Sequence, residues 1–101
     1  MRIAWGLGGI LFVLSSGPAP ATPDLELGRY LSRECVTCHR GATATRAIPN
    51  IFGMTEKTFA EVIRAYRDKR LQNAVMQNIA ERLKDDEIEA LAAYFARTKR
   101  P

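Results

Sequence analysis

The chain has 101 residues, which suffices for one small domain and leaves no room for two. Apolar residues make up 47% and charged residues 26%, a balance that excludes a wholly disordered or low-complexity protein. The formal net charge of +4 is too modest to identify a partner, and the short basic runs carry no nucleic-acid-binding motif.

Residues 1–21 have the layout of an export signal. Arg2 gives a positive start, residues 3–14 are apolar apart from glycines, and a small, proline-rich stretch ends at Ala21. The apolar run is about twelve residues long, whereas a membrane-spanning helix needs about twenty. We therefore expect cleavage after Ala21, with an uncleaved apolar anchor as the alternative. Residues 22–101 would then be a periplasmic domain with no permanent membrane span.

The next segment predicts a helix that leads into the cysteines. Asp24 can cap it, and Leu27, Leu31 and Cys35 recur at a spacing that places them on one face. Gly28 lies inside this helix, where a glycine costs about 1 kcal/mol relative to alanine. We therefore expect another backbone to pack closely against Gly28.

Further helices follow an irregular segment. Residues 40–53 contain the glycine and proline signals of turns. Thr55 can cap a helix through Tyr66, a short helix is expected over about 75–83, and the last over about 86–97. Acidic residues crowd the first turn of the last helix, where the helix dipole favours negative charge. No stretch alternates like a strand, so the sequence predicts an all-α fold of three or four short helices.

Both cysteines and the only histidine fall in five residues, Cys35-Val36-Thr37-Cys38-His39. The C-x-x-C-H pattern is typical of covalent c-type haem attachment. Each thiol adds to one haem vinyl group to form a thioether, and His39 follows as the proximal iron ligand. A core this small is marginal unless a metal, a disulfide or a large cofactor adds to it. The motif therefore predicts one covalent haem c, held by Cys35 and Cys38.

Other roles for these three residues are less favoured. A disulfide across so short a loop would stabilise little, because its entropic effect shrinks with loop length. Structural zinc sites use about four protein ligands, and the adjacent Cys38 and His39 could hardly both turn onto one ion with Cys35. A thioredoxin-like dithiol expects a βαβ setting, which the helical pattern lacks.

The second axial ligand decides what the iron can do. With no second histidine, the sixth position falls to a methionine or stays open. Met76 follows a polar loop that could carry it to the far haem face, whereas Met54 has less chain for that path, so we favour Met76. Filling the core is the alternative role for a methionine here. His/Met ligation suits electron transfer, and an open iron would suit a sensor or a peroxidase.

Two further residues are candidates around the haem. A backbone carbonyl in residues 40–53 is the nearest acceptor for the other ring N–H of His39, and Pro49 is the candidate; such a contact would fix the ring. A plain turn proline is the alternative. Arg70 is a candidate partner for a haem propionate, since guanidinium pairs well with carboxylate. A solvated surface arginine is the alternative there.

The chain resembles the small class I cytochromes c of the c553/c4-like type over about residues 24–97. The shared marks are residues 28–31, 35–39, 48–53, 66–76, 83–88 and 91–95. This resemblance implies a single-domain class I cytochrome c fold around one haem. It also implies Met76 as the distal ligand and Pro49 as the acceptor from His39. The first and last helices would cross at Gly28, against Tyr94 or Phe95.

Two departures from this family are visible. Arg40 follows the haem histidine where the family often has glycine, and its charge near the haem edge favours an acidic partner. Lys84 stands where a serine or threonine usually caps the last helix, so we expect Asp85 to cap it instead.

More narrowly, residues 34–39 and parts of 48–76 resemble the cytochrome subunits of flavocytochrome c sulfide dehydrogenases. Those subunits commonly carry two haems, and one C-x-x-C-H would make this a single-haem version. We therefore expect a periplasmic electron-transfer protein rather than an enzyme, acting as the haem subunit or acceptor of a flavoprotein sulfide dehydrogenase. A free soluble carrier to a terminal oxidase is the alternative, and an open-site haem sensor or peroxidase is less favoured.

Overall fold

Four helices follow one another in the part of the chain that the structure describes. The computed structural model describes residues 6, 8–13, 17, 22–40 and 44–99. The helices are α1 (Leu25–Val36), α2 (Glu56–Arg67), α3 (Ala74–Glu81) and α4 (Asp85–Arg97). No strand occurs in those described ranges, and the predicted all-α fold is confirmed.

The first two helices begin at the capping residues that the sequence predicted. The Asp24 carboxylate accepts a hydrogen bond from the Leu27 N–H at 3.0 Å. The Thr55 hydroxyl accepts one from the Thr58 N–H at 3.2 Å. Each bond satisfies a backbone donor that has no partner within its helix, and this fixes where α1 and α2 start.

The last two helices each begin one residue earlier than expected. Asn73 caps α3, its side chain accepting from the Met76 N–H at 3.0 Å. The expectation that Asp85 caps α4 is wrong. Lys84 is the N-cap residue, with extended backbone, and its own N–H donates to the Glu87 carboxylate at 2.9 Å. Because Glu87 reaches back to Lys84, Asp85 becomes the first helical residue.

Helices α1 and α4 cross at Gly28, as the resemblance to class I cytochromes c implied. A Cβ atom at Gly28 would overlap the Ala90 carbonyl oxygen and would lie 2.8 Å from the Tyr94 Cβ. Tyr94, rather than Phe95, is the aromatic residue beside the glycine. The missing side chain therefore allows the two backbones to approach this closely.

Phe95 lies at the centre of the core and is completely buried. Its ring stacks on Phe59 with centroids 5.5 Å apart and meets the edge of Phe52 at 5.2 Å. Ile88 and Leu91 of α4 are buried beside it. Helix α4 packs against both α1 and α2, and α3 packs against α2. The order of the bundle is therefore α1, α4, α2, α3.

Ion pairs line the outer side of the α2–α4 contact. Arg67 lies 2.8 Å from Asp85, Arg64 lies 3.6 Å from Glu89, and the carboxyl of Asp85 is also within reach of Arg64. The hydrogen bond from Arg67 to Asp85, together with the charge of that guanidinium, lowers the pKa of the carboxyl.

The predicted signal segment lies largely outside the described residues, and so does its expected cleavage site after Ala21. Within the segment, the apolar side chains of residues 10–13 are exposed and belong to no helix. Among the described residues, no helix combines the length and the apolar character needed to cross a membrane.

Candidate cofactor site

The C-x-x-C-H motif forms the turn at the end of α1. The helix ends at Val36, and the N–H groups of Cys38 and His39 both donate to the Cys35 carbonyl, at 3.2 and 2.9 Å. The two cysteines form no disulfide with each other, and Cys35 is half-buried while Cys38 is exposed. The turn therefore brings two thiols and an imidazole to one place.

These three residues line a cavity of about 450 Å³. Ligand and cofactor sites in proteins commonly measure about 300–1,000 Å³, so the space suits a cofactor-sized group. Most of the remaining lining is apolar and comes from the 47–54 segment, from α2 and from α3. The lining residues outside the motif are Glu34, Ala47, Ile48, Pro49, Ile51, Met54, Phe59, Val62, Ile63, Tyr66, Asn73, Val75, Met76, Ile79, Leu83 and Leu91.

The ring of His39 is held by a backbone carbonyl. Its Nδ1 lies 2.6 Å from the Pro49 oxygen. A carbonyl oxygen can only accept, so Nδ1 carries the hydrogen and Nε2 keeps the lone pair that a metal ligand needs. The structure thus places Pro49 and His39 as their predicted roles require, while iron ligation by His39 stays a prediction.

Burial changes the chemistry of the first cysteine. Removal from water, with a smaller effect from the neighbouring Glu34 charge, raises the pKa of the Cys35 thiol to about 11. The buried environment therefore favours the neutral thiol over the thiolate. A thioether is neutral and is therefore compatible with the apolar wall. In the described part of the chain, no group of three or more His, Cys, Asp or Glu side chains is arranged to hold a metal ion.

Both candidate methionines line the cavity. Met76 is the third residue of α3, and its N–H is bonded to the capping Asn73. Met54 comes from the segment before α2, and its N–H lies 3.4 Å from the Ile51 oxygen. Either methionine could therefore be the second axial ligand as far as the cavity lining shows, and the preference for Met76 stays a prediction.

Arg70 is not among the described residues that line the cavity. Its side chain is exposed and lies 3.4 Å from the Asp68 carboxylate. Its role as a propionate partner stays a prediction.

The donor set of the cavity fits haem c. Two thiols three positions apart in the chain, an imidazole whose Nε2 keeps its lone pair, and two methionine sulfurs belong to residues that line the same cavity. The largely apolar lining suits the body of a porphyrin, because burying apolar surface is favourable.

One polar contact at the cavity could not be predicted from the sequence. Arg82 bonds to Glu34 at 2.7 Å, although 48 positions separate the two residues. Asn73 was also missed, both as a cap and as a lining residue. An asparagine directly before a short apolar helix is a recognised start signal and could have identified the cap.

The sequence profile of a family described as "Cytochrome c" matches residues 25–99. The chain is also similar to the "Thiosulfate dehydrogenase electron acceptor" of Thiomonas intermedia (strain K12). The two are 26% identical over 96 residues, which cover 92% of this chain and 41% of that relative. The chain therefore spans less than half the length of this relative.

Proposed function

Because this chain belongs to the cytochrome c family of electron-transfer haem proteins, we propose that it carries single electrons on one haem held by His39 and Met76. The observation that carries the proposal is that Cys35, Cys38, His39 and Met76 all line one cavity. The contact between His39 Nδ1 and the Pro49 carbonyl supports it, because this contact directs Nε2 to act as the ligand.

Bound haem supplies a one-electron change between ferric and ferrous iron. Cys35 and Cys38 anchor it by thioether bonds, so that it stays in place through repeated redox changes. Pro49 fixes the orientation of the His39 ring and raises its basicity. The apolar wall excludes water and disfavours the more charged oxidised centre, so burial and Met76 ligation both raise the reduction potential.

Haem staining after denaturing electrophoresis tests the attachment. We expect the exported protein to keep its haem under these conditions, and the Cys35→Ser/Cys38→Ser variant to lose it. Thr37→Ala is the matched control, because Thr37 lies between the cysteines and its hydroxyl donates to the Arg33 carbonyl. Haem lost from the wild type, or retained by the double variant, would contradict the proposal.

We also propose that the protein is periplasmic and is released by cleavage after Ala21. The charged, apolar and small-residue order of residues 1–21 supports this. Mass spectrometry of the protein from a periplasmic extract would then find Thr22 as the first residue. A mass that includes the apolar segment would indicate the anchored alternative.

The proposed donor is a dehydrogenase that oxidises an inorganic sulfur compound. The name of the Thiomonas intermedia relative and the resemblance to flavocytochrome subunits both support this class of partner. Ile48 and Val75 are exposed large apolar residues that also line the cavity, so a partner could dock briefly where the cofactor is nearest the surface.

Stopped-flow reduction by two purified donors separates the partners. A flavoprotein sulfide dehydrogenase that reduces the protein rapidly, and that co-elutes with it in gel filtration, indicates a subunit. Rapid reduction without co-elution indicates a free carrier. Rapid reduction by a thiosulfate dehydrogenase alone would exclude the flavoprotein partner, and failure with both donors would contradict the sulfur-compound proposal.

A further inference from the structure

Two of the helices that line the cavity, α1 and α3, do not pack against each other. Helix α1 carries Cys35, and α3 carries Met76. Among the four described helices, the pairs that pack are α1 with α4, α2 with α4, and α2 with α3. Helix packing therefore holds α3 from the α2 side alone, and movement of α3 away from α1 would break no contact between their backbones.

One ion pair joins these two walls directly. An Arg82 guanidinium nitrogen lies 2.7 Å from a Glu34 carboxylate oxygen. Arg82 is the C-cap residue of α3, and Glu34 directly precedes Cys35 and lines the cavity. The Arg82 Nε also bonds to the Asn78 carbonyl at 3.3 Å, so the side chain is held near its own helix while it reaches Glu34.

We propose that the Glu34–Arg82 ion pair is a clasp that holds α3 against the cavity and so limits the displacement of Met76 from the iron by outside ligands. The inference rests on the proposed function, because it takes Met76 as the sixth ligand. Glu34 and Arg82 are positioning residues. They act by keeping the end of α3 close to the end of α1.

The size of the effect follows from the exposure of the pair. The two side chains are 57% and 58% exposed, so solvent screens their attraction. Ion pairs of this kind typically change an equilibrium by about 1.4- to 5-fold. High salt weakens exposed charge pairs, because the screening length falls to about 3 Å at 1 M. The clasp therefore predicts a modest, salt-dependent barrier to opening.

Imidazole titration of the oxidised, haem-loaded protein tests the clasp. Imidazole displaces the methionine and abolishes the methionine–iron charge-transfer band, so the band reports the dissociation constant. We expect Arg82→Gln to bind imidazole about 1.4- to 5-fold more tightly than the wild type. Glu34→Gln should do the same, and the double variant should show no further change. In 1 M salt the wild type should approach Arg82→Gln.

Arg97→Gln is the matched control. Arg97 pairs with Glu56 between α4 and α2, with side chains 53% and 45% exposed. Like Arg82, Arg97 also bonds to the carbonyl four residues before it. We expect Arg97→Gln to leave the imidazole constant unchanged, even where urea unfolding shows a small loss of stability similar to that of Arg82→Gln.

Three results would overturn the clasp. An unchanged imidazole constant in Arg82→Gln would refute it while leaving the proposed function intact. An equal shift in Arg97→Gln would attribute the effect to general stability. A wild-type protein without the methionine–iron band would remove the proposed function and the clasp together.

Discussion

The two sides of this bundle differ in how closely their backbones approach. At the α1–α4 crossing, Gly28 leaves no room for even one added methyl group against Ala90. On the other side α3 packs on α2, and a cavity of about 450 Å³ lies along its wall. The chain alone completes the first side, whereas the second side is shaped around a group that the chain does not supply.

This difference distinguishes the part of the bundle that sets its stability from the part that forms the cofactor cavity. Side chains that face a void lose their dispersion contacts on that side, so an unfilled cavity is costly in a core this small. The buried α4 residues Ile88, Leu91 and Phe95 form the scaffold on which both sides depend. Changes at the crossing should therefore alter global stability, and changes in α3 should act mainly on the cavity.

Gly28→Ala should have the largest effect. Within an ordinary helix this exchange stabilises by about 1 kcal/mol. Here the new methyl group would overlap the Ala90 carbonyl, and we expect the free energy of unfolding to fall by about 2–3 kcal/mol. Urea unfolding of the haem-loaded protein measures it. The exposed neighbour Arg29→Ala should stay within about 0.5 kcal/mol of the wild type. A more stable Gly28→Ala would show that the crossing is looser than described.

Loss of a helix cap should have a middle-sized effect that differs between the two sides. Asp24→Ala removes the cap of α1, and Asn73→Ala removes that of α3, at about 1 kcal/mol each. Only Asn73→Ala should also speed amide exchange throughout α3 and weaken the methionine–iron band. Asn73→Asp, which keeps the acceptor, should restore both. If amide exchange rose as much in α1 of Asp24→Ala as in α3 of Asn73→Ala, the two sides of the bundle would not differ in this respect.

Acid sensitivity at the α2–α4 contact should be the smallest effect. The pKa of Asp85 is lowered by Arg67, so the folded state favours the charged carboxylate. The Asp85 charge contributes fully to the free energy of unfolding above the ordinary carboxyl pKa of about 4. This contribution is lost as the pH falls through the lowered pKa of the folded state. Asp85→Asn should therefore be less stable at neutral pH and lose less stability on acidification.

Asp86→Asn is the control for that measurement. Asp86 lies in the same first turn of α4 but makes no ion pair with the residues that the structure describes. Urea unfolding across pH 2–7 compares the variants, and we expect Asp86→Asn to keep the acid dependence of the wild type. If Asp85→Asn kept the acid dependence of the wild type, the Arg67–Asp85 pair would not be the cause of it.

Local signals in the sequence predicted much of the fold. Asp24 and Thr55 were recognised as caps because one short polar side chain before a periodic segment suffices to start a helix. Gly28 predicted a close crossing because a glycine there is costly without one. Asp85 was assigned wrongly because Lys84 lacks the short polar side chain of an ordinary cap, while the Glu87 carboxylate three residues later accepts from the Lys84 N–H.

Contacts between distant segments could not be predicted in this way. The sequence placed Cys35, Cys38 and His39 at one site because they are neighbours in the chain. It gave no means to show that Met54 and Met76 would both reach the same cavity, or that Glu34 would pair with Arg82. Such contacts depend on how whole helices pack, which composition and spacing do not specify.

The charge-transfer band of the oxidised protein tests the central claim most directly. Met76→Ala and Met54→Ala each remove one methionine from the cavity wall, so each is the control for the other. We expect a low-spin wild type whose methionine–iron band is lost in Met76→Ala and kept in Met54→Ala. A band lost only in Met54→Ala, or a high-spin wild type without the band, would contradict His39/Met76 ligation.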